Sequence, residues 1–217
     1  MKEKLSVEIL IKEAKKFAQK ESKLYFPELY GITDGKAVGT YIEHKFRDYL
    51  KKNYLFFEGS SAKGIDFPEL LVDLKVTSIR QPQSSCPFKS ARQKIYGLGY
   101  SLLIFVYEKS DYEENKTCRL KIKHSVFIDK HRTADYQTTK GIIEILNNNG
   151  NLDDILAFFE DRMLPADEIQ AKKIAKEIIL NPPSLGFLTI SNALQWRLQY
   201  TRVIQKAGEI SGIHKII

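Results

Sequence analysis

The sequence predicts an α/β fold with a helical C-terminal region, and three observations predict it. Up to about residue 128, apolar runs at three-and-four spacing alternate with short apolar runs of strand length. Beyond residue 135 only helical periodicity is visible. The chain has 217 residues, of which 43% are hydrophobic, enough to bury one substantial core without disulfide staples.

In order, residues 6–21 read as a helix. Val7, Leu10, Ile11, Ala14 and Phe17 share a face behind Ser6, a good N-cap type. Gly31–Gly39 reads as a loop and Thr40–Leu50 as a second helix. Phe56–Asp66 is loop and strand, and Pro68-Glu69 a turn. Leu70–Thr77 reads as a buried-type strand. Pro82, Cys86 and Pro87 mark a loop, and Phe88–Gly97 a helix stopped by Gly97 or Gly99. Ser101–Tyr107 is the strongest strand, and Leu120, Ile122, Val126 and Ile128 continue the sheet. Helices follow at Tyr136–Leu146, Leu152–Met163, Ala166–Leu180 and Ser191–Ala207. Boundaries fit best near Leu164-Pro165 or Pro182-Pro183.

Composition excludes several classes. With 12 Phe and 11 Tyr, the chain is not a disordered polymer. Two cysteines, Cys86 and Cys118, cannot staple a chain of this size. No uncharged apolar run approaches the roughly 18 residues of a membrane span, and the N-terminus has no signal-peptide core. A reduced, cytoplasmic location with no membrane partner is expected. A net charge of +7 permits a polyanion partner without requiring one.

Asp73-Leu74-Lys75 carries the chemistry. Two apart on a strand, Asp73 and Lys75 project to one face while Val72, Leu74 and Val76 anchor the other. Acid-x-Lys occurs at six places, but only here inside an apolar strand. Burying such charge is costly unless it is paired or binds a metal. A hairpin through Phe67–Leu70 would bring Asp66 beside Asp73, and two convergent carboxylates suit a hard divalent cation such as Mg2+. A solvated ion pair on an edge strand is the plainer alternative. Weaker patterns carry nothing: Gly35-Lys36 precedes Ala37 where a P-loop needs Ser or Thr, and the histidines lack metal-ligand spacing.

Gly64-Ile65-Asp66, a spacer and Val72-Asp73-Leu74-Lys75-Val76 resemble the motif of the PD-(D/E)xK nuclease superfamily, with Ile65 where proline would stand. The helix Gly39–Phe46 resembles the one that precedes the motif, and Lys89–Tyr96 and Leu102–Tyr107 resemble the helix and strand that complete the core. The resemblance covers roughly residues 39–128 and implies a restriction-endonuclease-like core with a mixed central sheet flanked by helices. It implies Mg2+-dependent phosphodiester cleavage, with Asp66 and Asp73 as metal ligands, Lys75 assisting the water and Glu43 as the helix acid of the metal site. Size and accessory helices look like a type II restriction endonuclease: a homodimer reading a short palindrome in double-stranded DNA.

This divides the chain into a catalytic α/β core at residues 1–164 and a helical region at 165–217 that reads DNA or dimerises. In the last predicted helix, Asn192, Gln195, Gln199, Arg202 and Lys206 share one face, and such side chains pair with base edges. A solvated or dimer-facing helix would look the same. Lys89 and Arg92 are candidates for a DNA channel. A repair or junction-resolving nuclease on the same core, or a non-enzymatic DNA-binding protein, are the alternative functions.

Overall fold

The computed structural model describes residues 2–59, 64–87, 89–191 and 196–217. Chain order runs β1 (Glu3–Lys4), α1 (Val7–Glu21), β2 (Tyr25–Phe26), α2 (Gly35–Lys51), β3 (Tyr54–Leu55), β4 (Val72–Ser78), β5 (Gln83–Cys86), α3 (Arg92–Tyr96), β6 (Ser101–Tyr112) and β7 (Thr117–Ile128). It continues with α4 (Tyr136–Asn147), α5 (Leu152–Asp161), α6 (Glu168–Leu180), β8 (Thr189–Ile190), β9 (Trp196–Gln199), α7 (Thr201–Lys206) and β10 (Ile213–Lys215).

The chain forms two compact units. The first comprises Met1–Ser84, Ser101–Ile128 and Lys206–Ile217. Its mixed sheet runs β10-β7-β6-β4, with β2 also on β7. β4 lies parallel to β6, β6 antiparallel to β7, and β2 and β10 pair with opposite ends of β7. Burial follows the pleat. Leu103, Phe105 and Tyr107 of β6 join Val72 and Leu74 of β4 in one core with Leu10, Ala14 and Phe17 of α1 and Ile42, Phe46 and Leu50 of α2. Phe46 and Phe105 meet edge to face at 5.2 Å between centroids, a favoured aromatic geometry. Ser6 caps α1, its side chain accepting from Ile9 N, as expected.

α2 begins earlier than its apolar spacing suggested. Asp34 caps it, accepting from Lys36 N at 2.9 Å, and Gly35 to Gly39 are helical rather than loop. A Cβ at Gly39 would stand 3.4 Å from Val76 O, so glycine lets the helix lie close against β4.

The second unit comprises Ser85–Tyr100 and Asp129–Gln205, so Leu164 and Pro165 fall inside it. Ile142 of α4, Ile155 and Phe159 of α5 and Ile174 and Ile178 of α6 pack with Ile95 of α3. A three-stranded sheet runs β5-β9-β8.

The helix expected at Ser191–Ala207 is not formed. Residues 196–199 are strand β9, antiparallel to β8, and only Thr201–Lys206 is helical. The sequence there supports two periods. Trp196 and Leu198 are buried while Arg197 and Gln199 are exposed, which is the alternation of a strand. Pairing with β8 selects that period over the helical one. The region beyond residue 165 is therefore less helical than predicted. Among the described residues no helix is long and apolar enough to cross a membrane.

Candidate active site

The site lies at β4, which ends the sheet order of the first unit. Phe67, 1% exposed, pairs with Val72 across the Pro68 turn, donating to Val72 O at 2.9 Å and accepting from Val72 N at 3.2 Å. That short hairpin delivers Asp66 to β4, where its Oδ2 accepts from Leu74 N at 3.0 Å. The carboxylate thereby satisfies a backbone donor at the end of the sheet. Gly59 donates to Asp66 O, and a Cβ at residue 59 would fall 1.7 Å from Ile65 O, so only glycine fits.

Asp73 is buried, and Lys75 Nζ lies 2.7 Å from its Oδ2. The strand spacing thus places these two side chains together as predicted. Asp73 Oδ2 is itself buried, with the Lys75 ammonium at contact distance. Glu43 and Arg47, four apart on α2, share a helix face and line the same cleft of about 580 Å³ with Asp66, Asp73 and Lys75. Arg47 Nη1 stands 3.5 Å from Asp66 Oδ1.

Three acids and two bases therefore converge. Burial raises the Asp73 carboxyl to about 7 despite the Lys75 ammonium, and the Asp66 carboxylate pushes the same way. Burial, then Asp66, raises Glu43 to about 7 as well, with Lys75 and Arg47 opposing. Burial disfavours the Lys75 charge, but Asp73, Asp66 and Glu43 outweigh it and hold the ammonium above its ordinary value. Such displaced groups in a cleft mark functional sites more often than not.

Arg47 and the cleft residue His44 were not singled out from the sequence. The signal for Arg47 was its four-residue offset from Glu43 on one helix face.

The other predicted residues are scattered. Asn192 and Gln195 lie outside the described residues. Gln199 is exposed on β9, so it shares no helix face with Arg202 and Lys206, which lie four apart on α7; Arg202 stacks on the Tyr136 ring at 3.8 Å and Lys206 pairs with Glu209 at 2.9 Å. Arg92 is committed to Glu177, with Nε 2.9 Å from Oε2 and Nη2 2.5 Å from Oε1. Lys89 is exposed.

A mixed sheet flanked by helices, with an acid-rich cleft at its end strand, is compatible with a restriction-endonuclease-like core. Comparison with known proteins narrows the class. The family model described as Type II restriction enzyme NspV matches residues 4–215. Type II restriction enzyme NspV of Nostoc sp. (strain ATCC 29411 / PCC 7524) is 65% identical over 209 residues, covering 96% of this chain and 95% of the relative. No solved structure matches. The chain belongs to the NspV family of type II restriction enzymes, and is a deoxyribonuclease of that type.

Proposed function

We propose that the enzyme is a Mg2+-dependent restriction endonuclease of the PD-(D/E)xK kind. It hydrolyses phosphodiester bonds of double-stranded DNA at a short specific sequence, working as a homodimer. One observation carries the reading: the Asp66, Asp73 and Glu43 carboxyls and the Lys75 ammonium line one open cleft, with Lys75 Nζ 2.7 Å from Asp73 Oδ2.

The residues fit a hard divalent cation. All three acids offer oxygen, the donor type Mg2+ prefers, and burial, with the Asp66 charge second, raises the Asp73 and Glu43 carboxyls, a cost that such a cation would relieve. Among the described residues no three His, Cys, Asp or Glu side chains form a ready-made metal cage. Asp66 and Asp73 would hold the ion, with Glu43 in reserve and water or phosphate oxygens completing the shell, as Mg2+ commonly requires. Bound there, Mg2+ would polarise the scissile phosphate and acidify the attacking water. Lys75 Nζ orients that water or stabilises the developing phosphorane oxygen. Leu74 N–H and Arg47 fix the Asp66 carboxylate from two sides.

A palindromic target would match two-fold protein symmetry, which motivates the homodimer. Cys86 and Cys118 are buried and form no disulfide, which suits a reduced, cytoplasmic compartment.

Incubating the purified protein with phage DNA and Mg2+, then sequencing the fragment ends, tests the reading. Discrete fragments sharing one palindromic end sequence, abolished by EDTA, are expected. Absence of cutting with Mg2+ and Mn2+, or structure-dependent nicks without a common sequence, would overturn it. Sedimentation of the active species reports the dimer.

A further inference from the structure

We infer that the exposed face of strand β9 reads base edges in the DNA major groove, with Arg197 and Gln199 as specificity-determining residues. The inference rests on the proposed sequence-specific cleavage.

β9 is the middle strand of its sheet, between β5 and β8. Trp196 and Leu198 are fully buried on one face and lock the strand in place. Arg197 and Gln199 are exposed on the other. A reading residue needs such a rigid mount, because loose side chains discriminate poorly.

The chemistry of the face is unlike ordinary solvated sheet. The three strands contain no Asp or Glu, so no cross-strand ion pairs decorate it. Four arginines of this unit are engaged. Arg92 pairs with Glu177, Arg132 donates to Leu185 O, Arg162 stacks on Phe158 and Arg202 donates to Thr189 Oγ1. Among the described residues the Arg197 guanidinium makes no hydrogen bond or ion pair, and neither does the Gln199 amide. A face with one uncommitted guanidinium and no carboxylate on its strands complements a polyanion.

Residue type and spacing select the major groove. Arg pairs bidentately with guanine and Gln with adenine, and that groove admits β-strands. Side chains two apart on a strand stand about 6.6 Å apart. Two base steps of about 3.4 Å cover nearly the same rise.

The test uses Arg197→Ala, Arg197→Lys and Gln199→Ala enzymes on the cognate duplex and on every singly substituted duplex. Losing one bidentate contact should slow cognate cleavage roughly 10- to 100-fold and flatten discrimination at one base pair. Arg197→Lys should fail to restore it, because an ammonium lacks the planar fork. Restoration by lysine would show a phosphate contact only and overturn the inference. So would wild-type discrimination in both alanine variants. Wild-type enzyme that cuts without discrete sites would instead overturn the proposed function beneath it.

Discussion

Asp73 with Lys75 in the first unit and Asp135 near Lys94 in the second are both buried acid–ammonium settings, the two acids 2% and 3% exposed. Their hydrogen bonding differs. Asp135 caps α4: its Oδ2 accepts from Thr138 N at 2.8 Å and Thr138 Oγ1 at 2.7 Å, and its Oδ1 from Ile190 N at 2.7 Å. Lys94 Nζ donates to Ile190 O at 2.9 Å. Backbone N–H groups and the Thr138 hydroxyl hold that cluster, whereas Asp73 lines an open cleft together with the Lys75 ammonium and the Asp66 and Glu43 carboxyls. Buried charge satisfied by backbone stabilises a fold, while buried charge left facing space is available to a ligand.

Paired substitutions test that contrast most strongly. Asp73→Asn keeps the shape, removes the surplus negative charge and leaves Lys75 within the field of Asp66 and Glu43. Cleavage should fall on the order of 10³-fold, the scale of losing one electrostatic catalytic group. Melting temperature should not fall, because the neutral amide carries no desolvation cost of a buried charge, and specific DNA binding should persist. Asp135→Ala strands three donors and a helix cap, at a cost of about 3 kcal/mol. In a domain of this size that lowers Tm by roughly 6–12 °C, with activity per folded molecule retained. Plasmid cleavage and thermal melts of both variants decide. Equal destabilisation, or cleavage surviving Asp73→Asn, breaks the contrast.

The two clusters should also differ in the sign of their pH dependence. The folded Asp73 carboxyl, raised from 3.8 to about 7, holds a proton that the unfolded chain has released. Stability from this group is therefore full below about pH 4 and is lost as pH rises towards about 7. Glu43 contributes with the same sign. Burial lowers Lys94 from 10.5, so its folded form binds fewer protons and stability rises as pH climbs towards 10.5. Melting temperatures between pH 4 and pH 8, wild type minus Asp73→Asn, isolate the Asp73 slope from other groups. At pH 8, Mg2+ should raise the wild-type Tm more than that of Asp73→Asn. A difference that is flat with pH, or that rises, contradicts the assignment.

How much of this was legible in the sequence depended on the range of the forces involved. β4 and its acid–lysine pair were legible because apolar alternation is local, and Asp66 because Pro68 marks the turn. The start of α2 was not, since Gly35 and Gly39 suggest a loop until the close approach of α2 to Val76 O gives a small residue at 39 a packing reason. Residues 196–199 carried both periods, and only pairing with β8, a tertiary contact, chose between them. The partner of Arg92, Glu177, lies 85 residues away, beyond any pattern.

Arg92 sharpens the comparison at its weak end. Its side chain is 52% exposed and that of Glu177 29%, so solvent screens the pair despite its forked geometry. Stacking on Tyr96 at 4.4 Å adds a small cation–π term. Arg92→Ala should therefore cost at most about 1 kcal/mol, a Tm change of roughly 2–4 °C, well short of Asp135→Ala. Because Glu177 already occupies the guanidinium, the salt dependence of DNA affinity should be unchanged. A log–log salt slope shallower by about one would instead assign Arg92 a phosphate contact, and with it the channel role suggested by Lys89 and Arg92 in the sequence. A stability loss as large as that of Asp135→Ala would show that exposure does not separate weak ionic clusters from strong ones in this protein.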